Sequence, residues 1–291
     1  MKATYSELRN TARKIVAALP QPAFYTLFQE EIARSKRLFY SHHLLKELKD
    51  QIAPLIDDDF GHGMLHSELV AIDGGAIVQI EMGLDPGTPE MVRTMVLVQV
   101  AGLLHDIRRK EKSHAQKGAA VAEKLLLTGG YGLTQREIKV VCNAIDNHEA
   151  FQAKPQPSPL PESLASPWAL GTATTPEYQA IAQLVSDALY DADKFRWGPD
   201  NFTHTVWDMV MFANIPLSEF LRRFPAGMQG LAQIKNTFRT ETGKTHGPGF
   251  IDLGLETGKR LLAQLKADHL ELFNSGPVSF DAQNRGIKYQ G

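Results

Sequence analysis

Residues 95–107 read MVLVQVAGLLHDI, and the rest of the chain is read outward from them. Met95–Leu104 is the longest strongly apolar run in the sequence. It is too short to span a bilayer and is bounded by Arg93 and Asp106. Just ahead of it, Thr88-Pro89-Glu90 carries helix-start signals. The threonine can cap, the proline suits a first turn and the carboxylate complements the positive dipole end. The run therefore reads as an apolar helix that ends near His105-Asp106.

Helical periodicity continues in both directions, with scarce period-2 patterning and no clear internal repeat, so the expected class is all-α. Residues 1–58 read as an N-terminal extension of two or three helices separated by Pro20 and Pro22. A turn at 57–61 leads to a helix over roughly 63–82, and GLDPG at 83–87 breaks it. Ser113-His114-Ala115-Gln116 and Thr134-Gln135-Arg136-Glu137 both have capping-box spacing. The first opens a helix at His114, and the second opens one ending near His148. Residues 152–175 form a Pro-rich insert, read as a long surface loop or lid. Thr175-Pro176-Glu177 starts a helix that runs to Asp193.

Further helices are expected at about 200–213, 216–240 and 250–272. The glycines and proline of TETGKTHGPGF (240–250) predict a flexible joint between the last two. The domain reading is an extension over 1–58, a central domain over 59–200 and a C-terminal helical region over 201–291.

The bulk numbers exclude several function classes. With 291 residues, 43% of them hydrophobic, the chain can bury a sizeable core. A net charge of -2 and a pI near 6.6 give no basic field for a nucleic-acid polymer. The single cysteine, Cys142, rules out an intramolecular disulfide and a cysteine-based zinc cluster, and it reads as a buried, inert thiol. The N-terminus is an amphipathic pattern without the apolar core of a signal peptide, so a cytoplasmic protein with no membrane partner is expected. There is no nucleophile elbow or dinucleotide fingerprint. Gly243-Lys244-Thr245 lacks the preceding glycine of a phosphate loop.

What remains is an ordered set of metal-ligand residue types at helix edges: His66, His105-Asp106 and Asp193, with His114 and His148 between them. Imidazoles and carboxylates together suit a hard-to-borderline divalent cation such as Mn, Fe, Co, Ni or Zn. His114 falls in the first turn of its helix, where the dipole disfavours imidazolium. His148 continues the inward face set by Val141 and Ile145. Cationic residues crowd the same places: Arg108, Arg109, Lys110, Lys112 and Lys117 near His105-Asp106, and Lys194, Arg196 and the aromatic Trp197 beyond Asp193. Arg109, Lys112, Lys194 and Arg196 are the candidate substrate contacts, since such donors grip phosphoryl oxygens.

In order along the chain, GHGMLHSELV (61–70), AGLLHDI (101–107), KSHAQKGA (112–119), AIDNH (144–148) and DADKF (191–195) resemble the motifs of the HD-domain superfamily of metal-dependent phosphohydrolases. The resemblance covers about residues 60–197 and leaves both ends of the chain unexplained. It implies an HD-type helical bundle in which His66, His105, Asp106 and Asp193 are the primary ligands of one or two ions. It further implies that Asp106 can bridge two ions and, with His105, serves catalysis. His114 and His148 become second-site ligands or phosphate contacts. The implied activity is hydrolysis of a small phosphomonoester or phosphodiester, a nucleotide among them, by metal-activated water. The alternatives are an HD-type di-iron oxygenase, which requires His114 and His148 as ligands, and a non-catalytic ligand-sensing module.

Overall fold

The computed structural model describes residues 2–56, 63–151 and 175–268. Among them there are twelve α-helices and no strand, as the periodicity predicts. The N-terminal segment holds α1 (Lys2–Ala17), α2 (Ala23–Leu27), α3 (Gln29–Ser41) and α4 (His43–Ile52). These are more pieces than the prolines alone indicate, because extended backbone at His42 separates α3 from α4. Then come α5 (Met64–Met82), α6 (Pro89–Leu104), α7 (His114–Thr128), α8 (Gln135–Asp146) and α9 (Pro176–Phe195). A π-helical turn at Asn201–Thr205 leads to α10 (Val206–Phe212), α11 (Leu217–Gln233) and α12 (Glu241–Asp268). The turn at 57–61, His62 and nearly all of the Pro-rich insert lie outside the described residues.

The centre is built from α5, α6, α8 and α9, which pack on one another, with α7 against α8 and α3 against α5. Both α5 and α6 are apolar on all sides, and Val70–Gln79 and Thr94–Leu104 are buried throughout. Such helices hold their place only in the middle of a bundle. Their backbones come close at Gly102, where a Cβ would stand 2.7 Å from Cα of Ala71. Polar groups inside this packing are hydrogen-bonded across it. Gln99 Nε2 donates to the Ser35 carbonyl at 2.9 Å, and Ser35 Oγ donates to the Ile72 carbonyl at 2.6 Å. Buried apolar side chains from residues 1–58, the central segment and the C-terminal segment join in one core. Cys142 lies inside it, and burial pushes its thiol up to about 12, which leaves it inert.

Local signals were followed to different degrees. Thr134 forms the full capping box with Glu137, and the Thr175 side chain accepts from the Tyr178 amide. Thr88 stands at the N-cap of α6, but its side chain makes no capping bond. Ser113 is a correction to the expected capping box. It adopts left-handed backbone (φ 57°) and makes no side-chain cap, because capping needs extended backbone at that position.

The C-terminal region holds the larger correction. Residues 241–268 are one continuous helix with Pro248 inside, so the stretch 240–250, expected to be a flexible joint, forms the first turns of that helix. Most of its glycines serve close packing. A Cβ at Gly254 would meet the backbone of Gly198 at 3.1 Å, and one at Gly243 would collide with the Asp191 carboxylate. Asp191 in turn accepts from the amides of Arg239 and Thr240 at 2.8 Å and so secures the start of the helix from outside. These contacts outweigh the cost of glycine and proline in a helix interior. His246 lies within this helix, its ring edge-on to Phe28 at 5.2 Å.

Candidate metal centre

Each candidate ligand sits where a helix begins or ends on one side of the central bundle. His66 is in the first turn of α5, and His105-Asp106 follow the last residue of α6. His114 is the first residue of α7, and Asp193 lies in the last turn of α9. His148 is not on the face of α8 as expected; it stands just past the end of that helix, at Asp146. All six are buried, from His105 at 0% to His66 and His114 at 8% exposure.

The buried histidines turn their Nε2 atoms towards one another. His66 and His105 approach at 3.2 Å through these atoms, and His114 and His148 at 3.3 Å. The opposite ring nitrogens are held by acceptors. His105 Nδ1 donates to the Gly102 carbonyl at 2.8 Å, and His148 Nδ1 donates to the Ile145 carbonyl at 2.6 Å. His114 Nδ1 lies 3.0 Å from Oε1 of Glu149. A carbonyl can only accept, so Nδ1 of His105 and of His148 carries a proton, and each ring in its neutral form aims an Nε2 lone pair inward.

Asp106 ties the two pairs together. Its Oδ2 lies 3.3 Å from His105 Nε2 and 3.6 Å from His66 Nε2. Its Oδ1 lies 3.5 Å from His114 Nε2 and 3.6 Å from His148 Nε2. Asp193 completes the first group, with Oδ1 3.4 Å from His66 Nε2 and 3.8 Å from His105 Nε2.

At His66 and His148 electrostatics favour the neutral imidazole, and at Asp193 the ionised carboxylate. Burial depresses His66 and His148 below the ordinary histidine range. Burial pushes His105 the same way, but Asp106, Asp193 and the Gly102 carbonyl together outweigh it and raise it. Burial would raise Asp193, yet the Lys194 ammonium, followed by His66, holds it well below the usual carboxylate range. Lone pairs and carboxylate oxygens packed this closely repel one another unless a positive charge lies among them. Nitrogen and carboxylate donors of this kind fit a divalent transition metal. Two sets of atoms converge closely enough to hold an ion: His66, His105 and Asp193, and His105, Asp106 and His148. The buried His/Asp groups could therefore hold a metal ion.

The cluster opens on a cleft bordered by Arg109, Glu149, Lys194 and half-buried Trp197. Two of the four cationic candidates are here. Arg109 Nη1 donates to His114 Nε2 at 2.9 Å. Lys194 Nζ donates to Asp193 Oδ2 at 2.6 Å and to the His148 carbonyl at 3.1 Å. The other two lie elsewhere. Lys112 is exposed and outside the residues that line the cleft. Arg196 is buried in an ion pair with Asp73 that also engages Tyr25, and it reaches Asp200 at 2.6 Å. That guanidinium ties α9 to α5 and α2 and is not among the residues that line the cleft.

Glu149 was missed by the sequence reading, although a carboxylate directly after His148 was the available signal. Among the described residues, no helix is long and apolar enough to cross a membrane. Comparison of the chain with protein-family models, with curated proteins and with solved structures finds no match.

Proposed function

We propose that the chain is a metal-dependent phosphohydrolase of HD type, acting on a small phosphomonoester or phosphodiester. The observation that carries this reading is the position of Asp106, with one carboxylate oxygen facing His66 and His105 and the other facing His114 and His148. A divalent ion bound there would supply Lewis acidity and lower the pKa of water at neutral pH. The chain's own residues do the rest. His66, His105, Asp106 and Asp193 hold the ion, and the carbonyls of Gly102 and Ile145 fix the ring orientation of His105 and His148. Arg109 and Lys194 border the cleft as donors for phosphoryl oxygens, whose charge grows in the transition state. The confined cleft suits a small substrate better than a polymer.

The test is metal analysis of the purified protein, followed by a phosphate-release screen across Mn, Fe, Co, Ni and Zn with monoesters, diesters and nucleotides. Hydrolysis that is lost in His105→Ala is the expected result. A chain that binds no ion and hydrolyses no ester under any of these metals ends the proposal. The four-histidine, two-carboxylate donor set also suits a pair of irons, so oxygen consumption by the iron-loaded protein belongs in the same screen. Oxygen uptake without ester hydrolysis would favour the HD-type di-iron oxygenase.

A further inference from the structure

Arg109 stands where a second cation would act. Its Nη1 lies 2.9 Å from His114 Nε2 and 4.0 Å from Asp106 Oδ1. A guanidinium has only donors, so His114 must accept at Nε2 and carry its proton on Nδ1, towards Glu149. The lone pair that would make His114 a metal ligand is thus engaged by an arginine of the chain itself. The converging donor sets agree, since His114 belongs to neither of them. What remains for a second ion is Asp106 and His148, because His105, the third donor of that set, is shared with the first set. A dication placed there would also face the guanidinium at close range, in surroundings that screen charge poorly. The arginine is not locked in this position. It comes from the turn between α6 and α7, and its side chain is 24% exposed.

We propose that Arg109 competes with a second divalent cation for His114. The cluster then holds one ion while the guanidinium is in place and two once it is removed. The inference rests on the metal-binding reading above and concerns ion count, whichever reaction the site performs.

Equilibrium dialysis of the full chain against Mn2+, with metal analysis of the retained protein, tests it. About one ion per chain is expected for the wild type and about two for Arg109→Ala, returning to about one when His114→Asn is added. Thermal melts of the metal-free variants check that each is folded. Two tightly held ions in the wild type overturn the inference without recourse to any variant. An equal count in wild type and Arg109→Ala overturns it too, as does a second ion that survives His114→Asn. No ion in any chain defeats the metal reading together with this one. A count that changes as expected in a protein that hydrolyses no ester defeats only the hydrolase reading.

Discussion

The Lys194 ammonium lies 2.6 Å from Oδ2 of Asp193, its neighbour in sequence, while Oδ1 of the same carboxylate faces His66 at 3.4 Å. Lysine and carboxylate are both buried, so Lys194 is the counter-charge that lets Asp193 stay ionised inside the bundle. Lys194→Met should destabilise the metal-free protein by about 3–5 kcal/mol, the range for breaking a buried ion pair from one side. An added ion would replace the missing positive charge. The rise in Tm on adding Mn2+ should therefore be larger in Lys194→Met than in the wild type. A smaller rise would mean that Lys194 chiefly orients the carboxylate.

Gly102 sets the distance between the helices that carry His66 and His105. A Cβ there would stand 2.7 Å and 2.8 Å from backbone atoms of Ala71, which cannot yield as a flexible side chain would. Gly102→Ala is expected to cost roughly 1–3 kcal/mol in denaturant unfolding and to weaken ion binding as the two histidines separate. Gly227, inside α11, faces open space, so Gly227→Ala should be neutral or mildly stabilising. Equal losses in both variants would show that α5–α6 contact at Gly102 has no special role.

Glu137 links stability to acid. Burial raises its pKa, but hydrogen bonds from Arg93 and Thr134 prevail and hold it at about 2, against an ordinary 4.5. The folded pKa is depressed, so the stabilisation is present above about pH 4.5 and is lost as pH falls through about 2. The site is partly exposed, which keeps the effect modest. Glu137→Gln should cost on the order of 1 kcal/mol at pH 7. The unfolding curves of the two proteins should converge as the pH is lowered through that window. A difference that stays constant down to pH 2 would place the effect in packing and not in the charge.

Where a signal is local, the sequence carried it. The capping box at Thr134 needs only residues within one helical turn, and it forms as read. The apolar run Met95–Leu104 demanded a buried helix, and α6 is buried from Thr94 onwards. Where the outcome depended on distant partners, the sequence misled. The glycines of 240–250 look like a joint, yet at Gly243 and Gly247 the Asp191 and Phe238 side chains press in so closely that an added Cβ would force them to shift. Arg196 looks like a substrate contact beside Asp193, yet it answers a carboxylate more than a hundred positions away, at Asp73.

The same division runs through the candidate site. By itself the sequence determined that the chain is helical and that His66, His105, Asp106, His114, His148 and Asp193 stand at helix edges, because periodicity and end signals are written within a few neighbouring residues. Only the tertiary structure decided which atoms meet. It turned the two oxygens of Asp106 towards different pairs of histidines, placed Glu149 behind His114 and set Arg109 against its other nitrogen. These contacts join α5, α7, the turn after α6 and the segment after α8, and only the packing of the helices in space brings them within a few ångströms of one another.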